Sequence, residues 1–243
     1  MIPNHSNVIA DLKRQIMSLE GFKSAPNTVA NVLGLDAMAE ALPGGQFPLG
    51  AVHEFLIGCS EDKASSIGFI SGILTNLIRH VGYAIWITPS RTVFPPALKL
   101  FGIEAEKIIF VEAVSEKEIL WVTEEVLRCE SVAAVISEIR NLDFNASRRL
   151  QLAVEKSHVT GFIVRNSQRN INTTACFARW KISPVSSFLD KDLPGLAFPR
   201  WNVELQKIKN GKPGTWQFEW AHGRFYPVLH ESENYFEVKR KVV

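Results

Sequence analysis

Residues Gly58 to Ser65 read G-C-S-E-D-K-A-S, between the apolar run Ala51 to Ile57 and a stretch with helical character. Glycine, lysine and serine at such a junction are the residue types that bind phosphate. Backbone N–H groups and the helix N-terminus face the anion, lysine reaches the terminal phosphates, and a hydroxyl holds magnesium. The working pattern is G-x-x-x-x-G-K-[ST], which this stretch meets only in part. Aligned on Gly58, Ser65 fits, but Lys63 stands at the second glycine and Ala64 at the lysine. Shortened by one residue, the loop brings Lys63 to the lysine position, with Asp62 at the glycine and Ala64 at the hydroxyl. Neither register restores the pattern. Glu61 and Asp62 also put two carboxylates where the helix dipole would otherwise attract an anion. The residues predict a strand-to-helix turn capped by its own acids, and no cofactor is expected. ATP with magnesium, held by Gly58, Lys63, Ser65 and Glu138, is the alternative.

Other groups with chemical potential carry less. His53-Glu54 lacks a second histidine one helical turn later and lies in a strand-like run, so it is not a zinc-protease motif. Cys59, Cys129 and Cys176 are odd in number and far apart, which argues for reduced thiols in a cytoplasmic protein. Trp201, Trp216 and Trp220 cluster late in the chain, where core or interface anchoring is the commoner role.

The elements that must position these residues alternate. "AVHEFLI", "YAIWITP", "KIIFVEA", "VAAVISEI" and "TGFIVRN" read as strands with near-continuous apolar runs. Between them lie helical stretches: Glu61 to about Val81, "FPPALKLFG", "SEKEILWVTEEVLRCES" and "NASRRLQLAVEKSHV". Buried strands alternating with helices predict an α/β fold with a mostly parallel sheet covered on both faces. After about residue 172 (in "ACFARWKI", "WNVELQKIKNG" and "GTWQFEWAHGRFYPV") consecutive strands are expected to extend the sheet in antiparallel fashion. Ligands of open α/β sheets sit at the carboxyl ends of the strands, a rim that here includes Gly58, Thr88, Glu112, Glu138 and Arg165. Val8, Ile9, Leu12, Ile16, Met17 and Leu19 fall near helical spacing and predict an amphipathic N-terminal helix. The Pro- and Gly-containing stretch through "LPGGQFPLG" reads as its linker. The expected organisation is a helix and linker over 1–44, a core with its β extension over 45–230, and a basic tail over 231–243.

At 243 residues and 46% hydrophobic, the chain can bury one sizeable core. No apolar leader opens the sequence, and Ile67 to Ile78 is too short to span a bilayer, so no membrane role is expected. The net charge of +2 conceals a split. Residues 1–139 carry ten Lys+Arg against sixteen Asp+Glu, and residues 140–243 carry seventeen against nine. The basic half would suit phosphate or an acidic protein surface.

The strand, degenerate loop, "YAIWITP", the long block Leu98 to Ile139 and "KIKNGKPGTW", in that order, resemble the RecA superfamily. "FPLGAVHEFL", "FPPALKLFGI", "LWVTEEVLRC", "SRRLQLAVEKSHVTGF" and "PRWNVELQKIKNGKPGTW" look like the ImuA-type proteins of bacterial SOS mutagenesis, over about residues 45–220. The resemblance implies a RecA-like core. It also implies accessory work beside an error-prone Y-family polymerase homologue (ImuB-like) and a specialised replicative-type polymerase in translesion synthesis. The RecA catalytic glutamate follows the second core strand, where this chain has "ITPSRT" and no carboxylate. Glu138 falls near the magnesium-holding aspartate. Arg165 and Arg169 fall where RecA contacts DNA, and "KIKNGKPG" resembles a RecA hairpin that approaches a neighbour's nucleotide, with Lys209 best matched beside Lys207 and Lys212. Single-stranded DNA and self-association follow as possible partners. The alternatives are a weak DNA-stimulated ATPase and a SulA-like cell-division inhibitor.

Overall fold

The computed structural model describes residues 33–90, 93–166, 171–187 and 197–228; the expected N-terminal helix, the basic tail and Arg169 lie outside them. Nine strands form one sheet in the order β3-β2-β4-β5-β1-β6-β7-β8-β9. The strands are β1 (Val52–Ile57), β2 (Tyr83–Thr88), β3 (Ile108–Glu112), β4 (Val132–Glu138), β5 (Thr160–Asn166), β6 (Ala178–Val185), β7 (Arg200–Ile208), β8 (Gly214–Ala221) and β9 (Arg224–Pro227). Every pair from β3 across to β6 is parallel, and the pairs from β6 to β9 are antiparallel. The predicted α/β class holds. The expected antiparallel extension therefore begins one strand later than "ACFARWKI", because β6 lies parallel to β1.

Helix α1 (Ser60–Val81) covers one face, while α2 (Glu116–Leu127) and α3 (Phe144–Ser157) share the other. α1 buries Phe69, Ile70, Ile73 and Leu74 against Phe55, Trp86, Ile136 and Phe162 of the sheet. Each such side chain contributes about 2 kcal/mol by leaving water. On its far side Gly68 and Gly72 replace bulk with contact: a Cβ at Gly72 would lie 2.5 Å from Phe225 and 2.8 Å from Trp220. The antiparallel strands thus pack their aromatics directly onto the α1 backbone. This is the core role the tryptophan cluster predicted, with Trp201 and Trp220 buried.

Local sequence sets the helix ends. Ser115 and Glu118 form a reciprocal capping box at α2, and the Asp143 carboxylate accepts from the Ala146 N–H at α3. Gly82 ends α1 at φ 110°, a conformation that suits glycine.

The stretch read as a linker is packed. Residues Asp36–Ala41 and Pro43–Gly45 form short 3-10 turns, and Leu33, Leu35, Met38, Leu42 and Phe47 join the α1-side core. Pro and Gly there shape tight turns, while the apolar residues between them supply the burial that a connector lacks. "FPPALKLFG" likewise forms a 3-10 helix, Pro95–Phe101.

Candidate functional site

The loop after β1 enters α1 on one face of the sheet, and the loop after β4 enters α3 on the other. Gly58 and Glu138 thus both lie at the carboxyl edge of the sheet, where open α/β sheets place ligands. Cys59 is the helix N-cap residue but makes no side-chain cap, so the first helical N–H groups are left to other partners.

The chain's own acids gather at this end. The Gly58 N–H donates to the Asp62 carboxylate at 3.1 Å, and Asp62 is buried. Glu61 accepts from the Ser60 hydroxyl at 2.9 Å. Its carboxyl is held below its ordinary value first by its own backbone N–H, then by the Cys59 and Ser60 side chains. The lysine expected to reach a phosphate is also engaged: Lys63 Nζ donates to Glu138 Oε2 at 2.7 Å. Ser65 is buried and is the sixth residue of α1, more than one turn from the loop mouth. Gly58, Asp62, Lys63 and Glu138 are brought together, and Ser65 stands apart from them.

At the next position on the rim, β2 ends in Thr88, whose hydroxyl donates to the Ser90 carbonyl at 2.6 Å.

Arg165 requires a correction. Sequence placed it as a phosphate contact, but its side chain is 4% exposed and its Nη1 donates to Glu54 Oε1 at 2.7 Å. The other Glu54 oxygen accepts from Arg179 Nε at 2.7 Å and from the Thr174 hydroxyl at 3.0 Å. Glu54 is wholly buried on the α2/α3 face and needs these partners, since an unpaired carboxylate there would cost several kcal/mol. Register explains the convergence: Glu54 lies opposite Ile163 on β5 and Arg179 on β6, with Arg165 two residues further along β5. The Glu54–Arg179 pair was not anticipated. Its one sequence signal was a carboxylate inside the strand-like run "AVHEFLI".

His53 faces the opposite side. Its Nε2–H donates to the Pro48 carbonyl at 2.7 Å, and its Nδ1 accepts from Trp180 Nε1 at 3.2 Å, which defines one neutral tautomer. Burial lowers its pKa to about 4 against the raising effect of that carbonyl. It is a satisfied core histidine. Among the described residues no group of His, Cys, Asp and Glu side chains could hold a metal. Nor is any described helix long and apolar enough to cross a membrane.

The basic residues of the late strands are exposed on β7 and its hairpin. Lys207 Nζ donates to the Thr174 carbonyl at 2.8 Å, tying β7 to the segment beside Glu54. The hairpin carrying Lys209 and Lys212 is docked at its tip: Lys212 N–H donates to the Ala41 carbonyl, and a Cβ on Gly211 would clash with that oxygen.

Parallel strands with a strand–loop–helix element at their carboxyl edge, flanked by helices and extended by antiparallel strands, define an α/β protein with a mostly parallel sheet. No protein-family model matches the chain. It is 35% identical over 186 residues to Protein ImuA of Caulobacter vibrioides strain NA1000 / CB15N, covering 72% of this chain and 76% of that protein. The same figures hold for Protein ImuA of strain ATCC 19089 / CIP 103742 / CB 15. The chain belongs to the ImuA family. Among solved structures, SulA from Pseudomonas aeruginosa aligns with a TM-score of 0.40 and 19% identity, over 47% of this chain and 96% of that one. That similarity is too low to bear on fold or function.

Proposed function

We propose that the chain is a non-catalytic accessory protein of SOS-induced, error-prone translesion synthesis. On this reading it recruits or regulates a Y-family polymerase homologue and a specialised replicative-type polymerase. Membership of the ImuA family supports the setting. The observation that carries the non-catalytic assignment is the Asp62 carboxylate on the Gly58 N–H, beside a Lys63 already neutralised by Glu138. A nucleotide's phosphates would have to displace one carboxylate and break the ion pair, and would still meet Glu61 at the helix start. The missing carboxylate after β2 removes the group that would orient an attacking water.

The test is ATP hydrolysis with and without single-stranded DNA, together with binding of a fluorescent ATP analogue. The intact chain is expected to show no turnover above that of Lys63→Ala. Turnover that Lys63→Ala abolishes would overturn the assignment in favour of a weak DNA-stimulated ATPase. Recruitment is tested by co-purification with each polymerase, and failure to retain either removes that role. Any DNA contact is assigned to the exposed face of β7 and its hairpin, through Lys207, Lys209 and Lys212. Its affinity should then fall steeply with salt, because each neutralised phosphate releases counterions.

A further inference from the structure

The face of the sheet opposite α1 carries α2 and α3, and a groove of about 410 Å³ opens between these two helices. It is lined by Arg128, Arg149 and Lys156, by Glu124 and Glu130, and by the apolar Leu152. Helical spacing builds it. Arg149, Leu152 and Lys156 stand at i, i+3 and i+7 along α3, and Glu124 and Arg128 at i and i+4 on α2 and its C-cap. Leu152 is 54% exposed, so an apolar side chain lies open between two cations.

The charges in the groove are not equivalent. Glu124 is buried and its carboxylate is engaged on both sides: Oε1 accepts from Arg128 Nη2 at 2.5 Å, and Oε2 accepts from Arg149 Nε at 2.8 Å and from Arg149 Nη2. These bonds hold both guanidiniums, yet 53% of the Arg128 side chain and 61% of the Arg149 side chain stay exposed. Among the described residues, Arg149 Nη1 and Lys156 Nζ have no acceptor. A planar fork already fixed by a buried carboxylate loses little freedom on taking a second acceptor. Glu130 is the exposed acid of the lining.

This pattern selects an occupant by charge. Arg149 and Lys156 are about 10 Å apart along α3, with Leu152 between them. The complement is a pair of carboxylates at that spacing with an apolar side chain between, which one face of a helix supplies at i, i+3 and i+7. A nucleic-acid strand fits less well, because its run of phosphates would meet Glu130 and leave Leu152 in water. We propose that the groove between α2 and α3 docks an acidic amphipathic helix of a partner protein, its carboxylates on Arg149 and Lys156 and its apolar side chain on Leu152. Arg128 borders the same groove from the α2 side. The surface shares no residue with the Gly58–Glu138 loops.

The probe is a fluorescein-labelled, alanine-based peptide of about 15 residues, long enough to hold a helix in water, with Glu, Leu and Glu at i, i+3 and i+7. It is titrated with the full chain by fluorescence polarisation. Binding should saturate and weaken at high salt, and a peptide with Gln for both Glu should bind far less. Lys156→Glu and Leu152→Gln leave every bond of Glu124 in place and are checked for folding by circular dichroism. Each should lower affinity by roughly tenfold, the order expected for one anchor of an interface. Glu130→Gln should raise it, an outcome that a damaged fold would not produce. The proposal is overturned if the peptide does not saturate at millimolar protein, if the Gln peptide binds equally, or if both groove variants bind like the intact chain. Displacement of the peptide by single-stranded oligothymidylate at matched charge would instead assign the groove to nucleic acid, and would also overturn it.

Discussion

Glu54→Gln removes one charge from a buried cluster, and the structure sets the consequence. Glu54 is fully buried, Arg165 is 4% exposed and Arg179 is 15% exposed. The carboxylate accepts two charge-assisted bonds at 2.7 Å and the Thr174 hydroxyl at 3.0 Å. Glutamine keeps one acceptor oxygen and turns an NH2 toward one guanidinium. Arg179 keeps the Asn172 carbonyl and partial access to water. Among the described residues Arg165 keeps only the Leu142 carbonyl at 3.3 Å, and its Nε has no partner there. A buried cation stripped of its counter-ion costs about 3–5 kcal/mol, several times a typical surface substitution. Arg165→Met should cost less, because it leaves Glu54 paired with Arg179 and Thr174. Urea unfolding at neutral pH, with the double variant to close the cycle, reads both values. A Glu54→Gln cost below about 1 kcal/mol, or an Arg165→Met cost as large as that of Glu54→Gln, would refute the reasoning.

Stability should also fall with acid through His53. Its folded pKa of about 4 lies below the ordinary 6.5, so the unfolded chain binds the extra proton between those values. Stability is full above about pH 6.5 and declines toward pH 4, by up to about 3 kcal/mol; urea midpoints compared with a His53→Asn control isolate the effect. Gly72→Ala should destabilise by about 1–2 kcal/mol in thermal or urea melts, because collision with Phe225 and Trp220 outweighs the gain in helix propensity. Ser115→Ala should cost about 1 kcal/mol by losing the α2 cap. In the native protein a thiol reagent should label exposed Cys59 and Cys129 quickly. Cys176 should react only on unfolding, since burial, then the Glu54 charge, pushes its thiol up to about 12.

Much of this protein was legible from local pattern. Apolar runs between helical stretches gave the parallel sheet, and the stretch from Ser115 reads as helical before its capping box is seen. The loop G-C-S-E-D-K-A-S showed by composition alone that two acids stand at the start of α1. These features are encoded over a few neighbouring residues, where spacing dictates geometry. Tertiary structure decided which acid enters the loop, Asp62 and not Glu61, and that Lys63 reaches 75 residues along the chain to Glu138. It also turned Arg165 inward, because strand register sets its guanidinium against a buried carboxylate 111 residues away. No local signal ranks such partners. Whether a charged side chain meets solvent, a ligand or a distant counter-charge depends on which strands become neighbours.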